Sequence, residues 1–286
     1  MNKLFKSPQI LWKRAAQGVG MAYHSGRIDA VLASYPKSGR TWFRFILSSY
    51  LAEAFDLKVT PDLHSMFTVM PNFDMDRERG LPAFAHARHR PRPPLIPVSH
   101  LPYARLRFRN HPVIFMLRDP RDVMVSSYFH ATRQKYRFSG DIDGFLKDPG
   151  QGVAALARYL NGWAAGLQGH RHVVVSYEDL SDDPRGQTAR GLSFLGLESR
   201  PGILDRAVEA ARFGNMQEME LAQGLPGHDY DRNDSESRRM RRGKVGGFAD
   251  YLTPEQIRLV EATCARELTP QAKALLARNM PGGFPA

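Results

Sequence analysis

Lys37, Ser38, Gly39, Arg40 and Thr41 stand side by side within SYPKSGRTW (34–42), a set suited to one kind of chemistry, the holding of an anion. Lys37 and Arg40 supply full charges, Ser38 and Thr41 supply hydroxyl donors, and Gly39 lets the backbone approach a ligand with no Cβ in the way. Further groups of this type lie downstream. His100 sits in SHLP (99–102), Arg118 and Ser126 in RDPRDVMVSSYFH (118–130), and Arg241, Arg242 and Gly243 in the basic run RRMRRGKVGG (238–247). Each has an ordinary explanation when taken alone. Arg118 can pair with Asp122 at a sheet edge, Ser126 can be a helix-surface serine, and a run of charges is usually solvated.

The elements around these residues decide whether they meet. Apolar runs recur at 30–34, 95–98, 112–117 and 172–176, with helical patterns at 43–55, 121–135, 152–168 and 186–196. Continuous β-rich runs alternating with helices predict an α/β fold in three layers, a mostly parallel central sheet with helices on both faces. Ligands of such sheets sit at the carboxyl ends of the strands. That edge gathers SYPKSGRTW, SHLP, RDPRD and YEDL into one crevice. The anion loop then leads from the first strand into a helix, whose free N–H groups and dipole add positive potential at the same spot. Residues 57–94 and 221–247 lack clear periodicity and are expected to cover substrate and cofactor. Near the C-terminus, Thr253 is placed to cap a helix with Pro254 at its first position and Gln256 closing a capping box.

Composition sets the bounds. The 286 residues suffice for one large domain, 1–286, with no convincing linker and no internal repeat. A single cysteine, Cys264, excludes an intrachain disulfide and a cysteine zinc cluster, which fits a reducing compartment. The basic segment 1–28 lacks the apolar core of a signal peptide and no segment approaches a membrane span, so the expected location is cytoplasmic, with peripheral membrane contact left open. A formal charge of +11 suits anionic partners without choosing among a nucleotide, a nucleic acid and a lipid surface.

A nucleoside-triphosphate loop needs a glycine, four residues, then Gly-Lys-Ser/Thr, whereas here the lysine precedes the only glycine of the turn. Asp119 is a weak magnesium ligand because Arg118 stands beside it. Read together, the segments resemble another family. SYPKSGRTW is similar to the TYPKSGTTW loop of the sulfotransferases that use 3′-phosphoadenosine 5′-phosphosulfate (PAPS), and FMLRDPRDVMVSSYFH to their second signature. VSYEDL, ARFGNM and RRGKVGGF follow in the family's order, so five segments agree between 34 and 248.

The resemblance implies a P-loop-like phosphosulfate-binding loop after the first strand, PAPS as co-substrate, no metal, and a hydroxyl acceptor on a small molecule, lipid or glycan. It places Lys37 at the bridging oxygen of the donor, and Ser38, Gly39, Arg40 through its backbone, Thr41 and the Trp42 backbone at the 5′-phosphate. Arg118 and Ser126, eight residues apart, fall on the 3′-phosphate with Arg241, Arg242 and Gly243, and adenine falls between Trp42 and Phe213 with Tyr177 at its edge. His100 matches the histidine that deprotonates the acceptor, and His130 is the competing base. Several positions depart from the pattern. Arg40 replaces the first threonine of GTTW, Val98 replaces a lysine two residues before His100, and Gly246-Gly247-Phe248 replaces Gly-Asp-Trp. The family's dimer motif survives only as Thr253, which leaves the oligomeric state undetermined. The alternatives are a nucleotide-phosphate kinase and a non-enzymatic basic protein that binds nucleic acid or membranes; no nucleic-acid partner is expected on the main reading.

Overall fold

The structure, a computed structural model, describes residues 8–277. Four strands, β1 (Val31–Ser34), β2 (Val98–Ser99), β3 (Val113–Leu117) and β4 (His172–Ser176), form one sheet in the order β2-β1-β3-β4, parallel throughout. Every residue of β1, β2 and β3 is buried, which is why these strands read as continuous apolar runs. Leu32 lies opposite Val98 on one side and Ile114 on the other, and Phe115 opposite Val174.

Alternate strand residues feed two cores. Val31, Ala33, Val113, Phe115 and Leu117 face the helices Pro120–Phe129, Val153–Leu167, Pro254–Glu267 and Pro270–Leu276. Ala30, Leu32, Ile114 and Met116 face the helices Arg40–Ala54, Pro184–Phe194 and Pro201–Ala210. Trp163, fully buried, stacks on Phe115 at 5.3 Å and donates its indole N–H to the Leu101 carbonyl. Burial of each such side chain stabilises by about 1.5–3 kcal/mol, so the crevice-bearing edge is held from both faces.

Three boundaries differ from the sequence reading. The 95–98 run forms a ladder only at Val98–Ser99, because Pro97 has no N–H to donate, although its carbonyl accepts from Leu32. A helix occupies Pro8–Ser25 within the basic segment 1–28, and residues 1–7 of that segment lie outside the described residues. The 57–94 region is mostly irregular yet contributes Leu63, Met66, Val69 and Met70 to the second core. Thr253 caps the Pro254–Glu267 helix as read: its hydroxyl accepts from Gln256 N and Gln256 Oε1 accepts from Thr253 N.

Candidate active site

The chain runs from β1 to β2 on one side and then crosses to β3 and β4 on the other, so the connections leaving the paired carboxyl ends of β1 and β3 run in opposite directions. A crevice opens at that switch point. Its floor is the loop after β1, where Lys37 (φ 71°) and Gly39 (φ 86°) both take left-handed conformations that curl the backbone into a concave nest. Gly39 also presses on an aromatic ring: a Cβ there would lie 2.5 Å from Tyr177 Cδ2. The following helix begins at Arg40 without a side-chain cap; Trp42 N and Phe43 N donate to the Gly39 carbonyl, and the N–H groups of Arg40 and Thr41 at its start are placed for an anion.

One cavity is lined by Lys37, Gly39, Arg40, Thr41, Trp42, His100, Arg118, Ser126, Tyr177, Phe213, Arg241, Arg242 and Gly243. Ser38, 2% exposed, lies in the loop beneath it. Arg118 comes off the end of β3, lies over the Tyr177 ring at 4.2 Å, and donates to the Lys37 and Lys244 carbonyls. Its pairing with Asp122 is loose at 3.6 Å, and its buried Nε has no partner among the described residues. A donor left unsatisfied at a cavity wall is suited to a phosphate oxygen. Ser126 lies on the helix after Arg118 and faces the same cavity. Trp42 meets Tyr177 edge-on at 5.7 Å, and Phe213 packs so closely on Gly243 that a Cβ there would lie 2.5 Å from its ring.

The basic run is less free than its charge suggests. Arg241 pairs with Glu236 at 3.0 Å and lies over the Phe129 and Tyr251 rings, while Arg242 and Lys244 pair with Asp250 at 3.0 and 3.1 Å. Asp122 accepts from Gly246 N and Phe248 N, and Arg121 lies over the Phe248 ring at 4.2 Å. These contacts fix the Gly246-Gly247-Phe248 segment against the helix that starts at Pro120.

The tautomer of His100 follows from its partner. Nδ1 lies 2.8 Å from the Ser34 carbonyl oxygen, which can only accept, so Nδ1 carries the proton and Nε2 is left as an acceptor. Burial, then the Arg40 charge, holds its pKa well below the usual histidine value. The ring is therefore neutral at pH 7, as a base must be. His130 occupies a π-helical turn, His130–Gln134, with Nδ1 2.5 Å from Gln134 Oε1, and burial pushes its pKa down to about 2.

The family model described as a sulfotransferase domain matches residues 27–272. The chain belongs to the sulfotransferase family. Among curated sulfotransferases it is 26% identical over 253 residues to the flavonol 3-sulfotransferase of Flaveria bidentis, covering 82% of this chain and 79% of that one. It is 27% identical over 295 residues to cytosolic sulfotransferase 7 of Arabidopsis thaliana, covering 91% and 86%. A solved mouse sulfotransferase, SULT7A1 complexed with PAP, shares the fold with a TM-score of 0.59 at 20% identity, covering 92% of this chain and 94% of that one.

Two residues of this sulfotransferase site were not singled out from sequence. Arg239 lines the cavity, donates to Thr41 Oγ1 at 3.3 Å, and has no partner for its buried Nε among the described residues. Glu220, fully buried, fixes it by accepting from the backbone N–H groups of Arg239 and Met240. The available signal was Met240, an apolar residue inside a charge run, which marks a point where the run turns inward. Burial, then Arg239, holds the Lys37 pKa well below its ordinary value. Arg239 lowers the Arg40 pKa as well, so these cavity cations repel one another.

The histidines carry a testable consequence. Burial holds the folded-state pKa of His100, His130 and His228 below the unfolded value, to about 2 for His130 and about 3 for His228. Below about pH 6.5 the unfolded chain takes up protons that the folded chain refuses, so stability falls as pH falls through that point. The slope is at most about 1.4 kcal/mol per pH unit per histidine, and less for the partly exposed His228. Urea melts at pH 7.5 and pH 5 should show the lower midpoint at pH 5; equal midpoints would contradict the assignment.

Proposed function

We propose that this sulfotransferase binds PAPS in the crevice between β1 and β3 and moves its sulfuryl group to a hydroxyl of a small molecule, lipid or glycan. The observation that carries the reading is that Lys37 and His100 line one cavity, with the His100 tautomer already set for a base. His100 Nε2 takes the acceptor's proton as the acceptor oxygen bonds to sulfur. The bond from sulfur to the bridging phosphate oxygen breaks in line, and Lys37 stabilises the charge left on that oxygen. Arg118, Ser126 and the Gly243 turn hold the 3′-phosphate; the Lys37–Thr41 nest and the Trp42 backbone hold the 5′-phosphate; Trp42, Tyr177 and Phe213 hold adenine. The reading is supported by two buried donors with no partner among the described residues, Arg118 Nε and Arg239 Nε, on side chains that line the cavity. Regions 57–94 and 221–247 close over the bound pair, and the reaction belongs to the cytoplasm.

Among the described residues no helix is long and apolar enough to cross a membrane, which suits an acceptor that reaches the site from solution or from a membrane surface. The test is transfer of radiolabelled sulfuryl from PAPS to a mixed panel of phenols and alcohols. Label should pass to at least one acceptor in a metal-free buffer. Retention of all label in PAPS across the panel would contradict the proposal.

A further inference from the structure

Arg40 stands where the family loop resembled by SYPKSGRTW has threonine, and the structure shows where its charge goes. It lines the cavity together with His100, Lys37 and Arg239, and among the described residues its side chain makes no hydrogen bond and no ion pair. It shares the cavity wall with His100, and its charge acts on His100, on the buried Tyr159 and on Arg44.

Counter-charge is short around Arg40. Arg44, one turn further along the same helix and 3% exposed, is held by the Met70 carbonyl and by Asn72 Oδ1 and lies over the Phe67 ring at 4.0 Å, with no carboxylate in ion-pair range among the described residues. Among the described residues Asp74 is the carboxylate whose charge offsets Arg40, and it is shared with Arg44 and Arg79. Arg241, Arg242 and Lys244 differ, each with a carboxylate within about 3 Å, and Arg118 has Asp122; Lys37 and Arg239 make no ion pair among the described residues, but on the proposed reading they face the charge of the donor. Burial and Arg239 lower the Arg40 pKa to about 9, the direction expected for a guanidinium with too little opposing charge.

We propose that the acceptor brings the missing charge: it is a hydroxy compound bearing an oxyanion, a carboxylate or a phosphate or sulfate ester, which Arg40 binds while His100 takes the hydroxyl proton. The planar guanidinium fork meets either class of oxyanion through paired N–H donors. The site then selects for acceptor charge as well as shape. This inference rests on the proposed sulfuryl transfer only in taking His100 as the mark of the acceptor end.

The experiment is calorimetry on the full chain with three probes, 4-hydroxybenzoate, its methyl ester and 4-hydroxyphenyl phosphate, with and without saturating 3′,5′-diphosphoadenosine (PAP). At least one of the two anions should bind about tenfold or more tighter than the ester, and which one does distinguishes carboxylate from phosphate recognition. In Arg40→Thr that preference should shrink to about twofold or less, and Arg40→Lys should keep part of it. Failure of PAP to bind the parent protein would count against the proposed donor, while the anion-to-ester ratio without PAP still reads Arg40. An ester that binds as well as both anions overturns the inference. So does an Arg40→Thr variant that weakens PAP binding while leaving the anion-to-ester ratio unchanged, because Arg40 would then serve the donor.

Discussion

Replacement of His100 by alanine is expected to lower sulfuryl transfer by about 10²- to 10⁴-fold while PAP binds nearly as tightly as in the parent. The separation follows from position. His100 lines the cavity from the end of β2, hydrogen-bonded through Nδ1 to Ser34, and touches none of the groups that hold the donor phosphates in this reading. Loss of the imidazole removes the proton acceptor and leaves the Lys37 nest, Arg118 and the aromatic pair of Trp42 and Tyr177 in place. Single-turnover rates with a serviceable phenol, beside PAP titrations, read the two effects independently. His130→Ala is the control. Should it abolish transfer in a folded protein while His100→Ala keeps full rate, the base lies on the π-helical turn after the Pro120–Phe129 helix.

Arg118→Ala should weaken PAP by about 2–4 kcal/mol, roughly 30- to 1000-fold in Kd, because a charge-assisted pair loses one partner in a closed site. Binding of 5′-AMP, which lacks the 3′-phosphate, should barely change. Arg118 also has structural contacts, to the Lys37 and Lys244 carbonyls and to the Tyr177 ring, so a general loosening of the crevice is the rival outcome. Equal losses for PAP and AMP would show that Arg118 supports the loop without reading the phosphate.

Much of this site was legible because parallel strands buried on both faces leave an unambiguous trace. VIFML cannot be solvated on either side, and the polar residues that follow it, Arg118 and Asp119, mark the sheet edge. Once three such edges align, SYPKSGRTW, His100 and Arg118 must share a crevice, and the structure places them around one cavity. Long-range pairing was not legible. Apart from Met240, the sequence of RRMRR does not tell its arginines apart, but Glu236 and Asp250 neutralise Arg241 and Arg242 while Glu220, from a preceding helix, turns Arg239 inward. The Arg118–Asp122 pair, the ordinary explanation for that arginine, exists and coexists with a buried Nε that has no partner among the described residues. The helix Pro8–Ser25 was missed for a similar reason. Its stability comes from packing on the Leu81–Ala83 turn across the fold and not from a signal within its own residues.

The central claim is that the cations and N–H donors at the β1/β3 switch point form an adenosine 3′-phosphate 5′-phosphosulfate site. It is tested most directly by the titration of the parent protein on which the Arg118 comparison rests, with PAP, 5′-AMP and magnesium ATP as ligands in parallel. The account predicts that PAP binds tightest, about 30-fold or more beyond 5′-AMP, with no requirement for magnesium. Tighter binding of magnesium ATP than of PAP would contradict it and return the crevice to nucleotide-triphosphate chemistry.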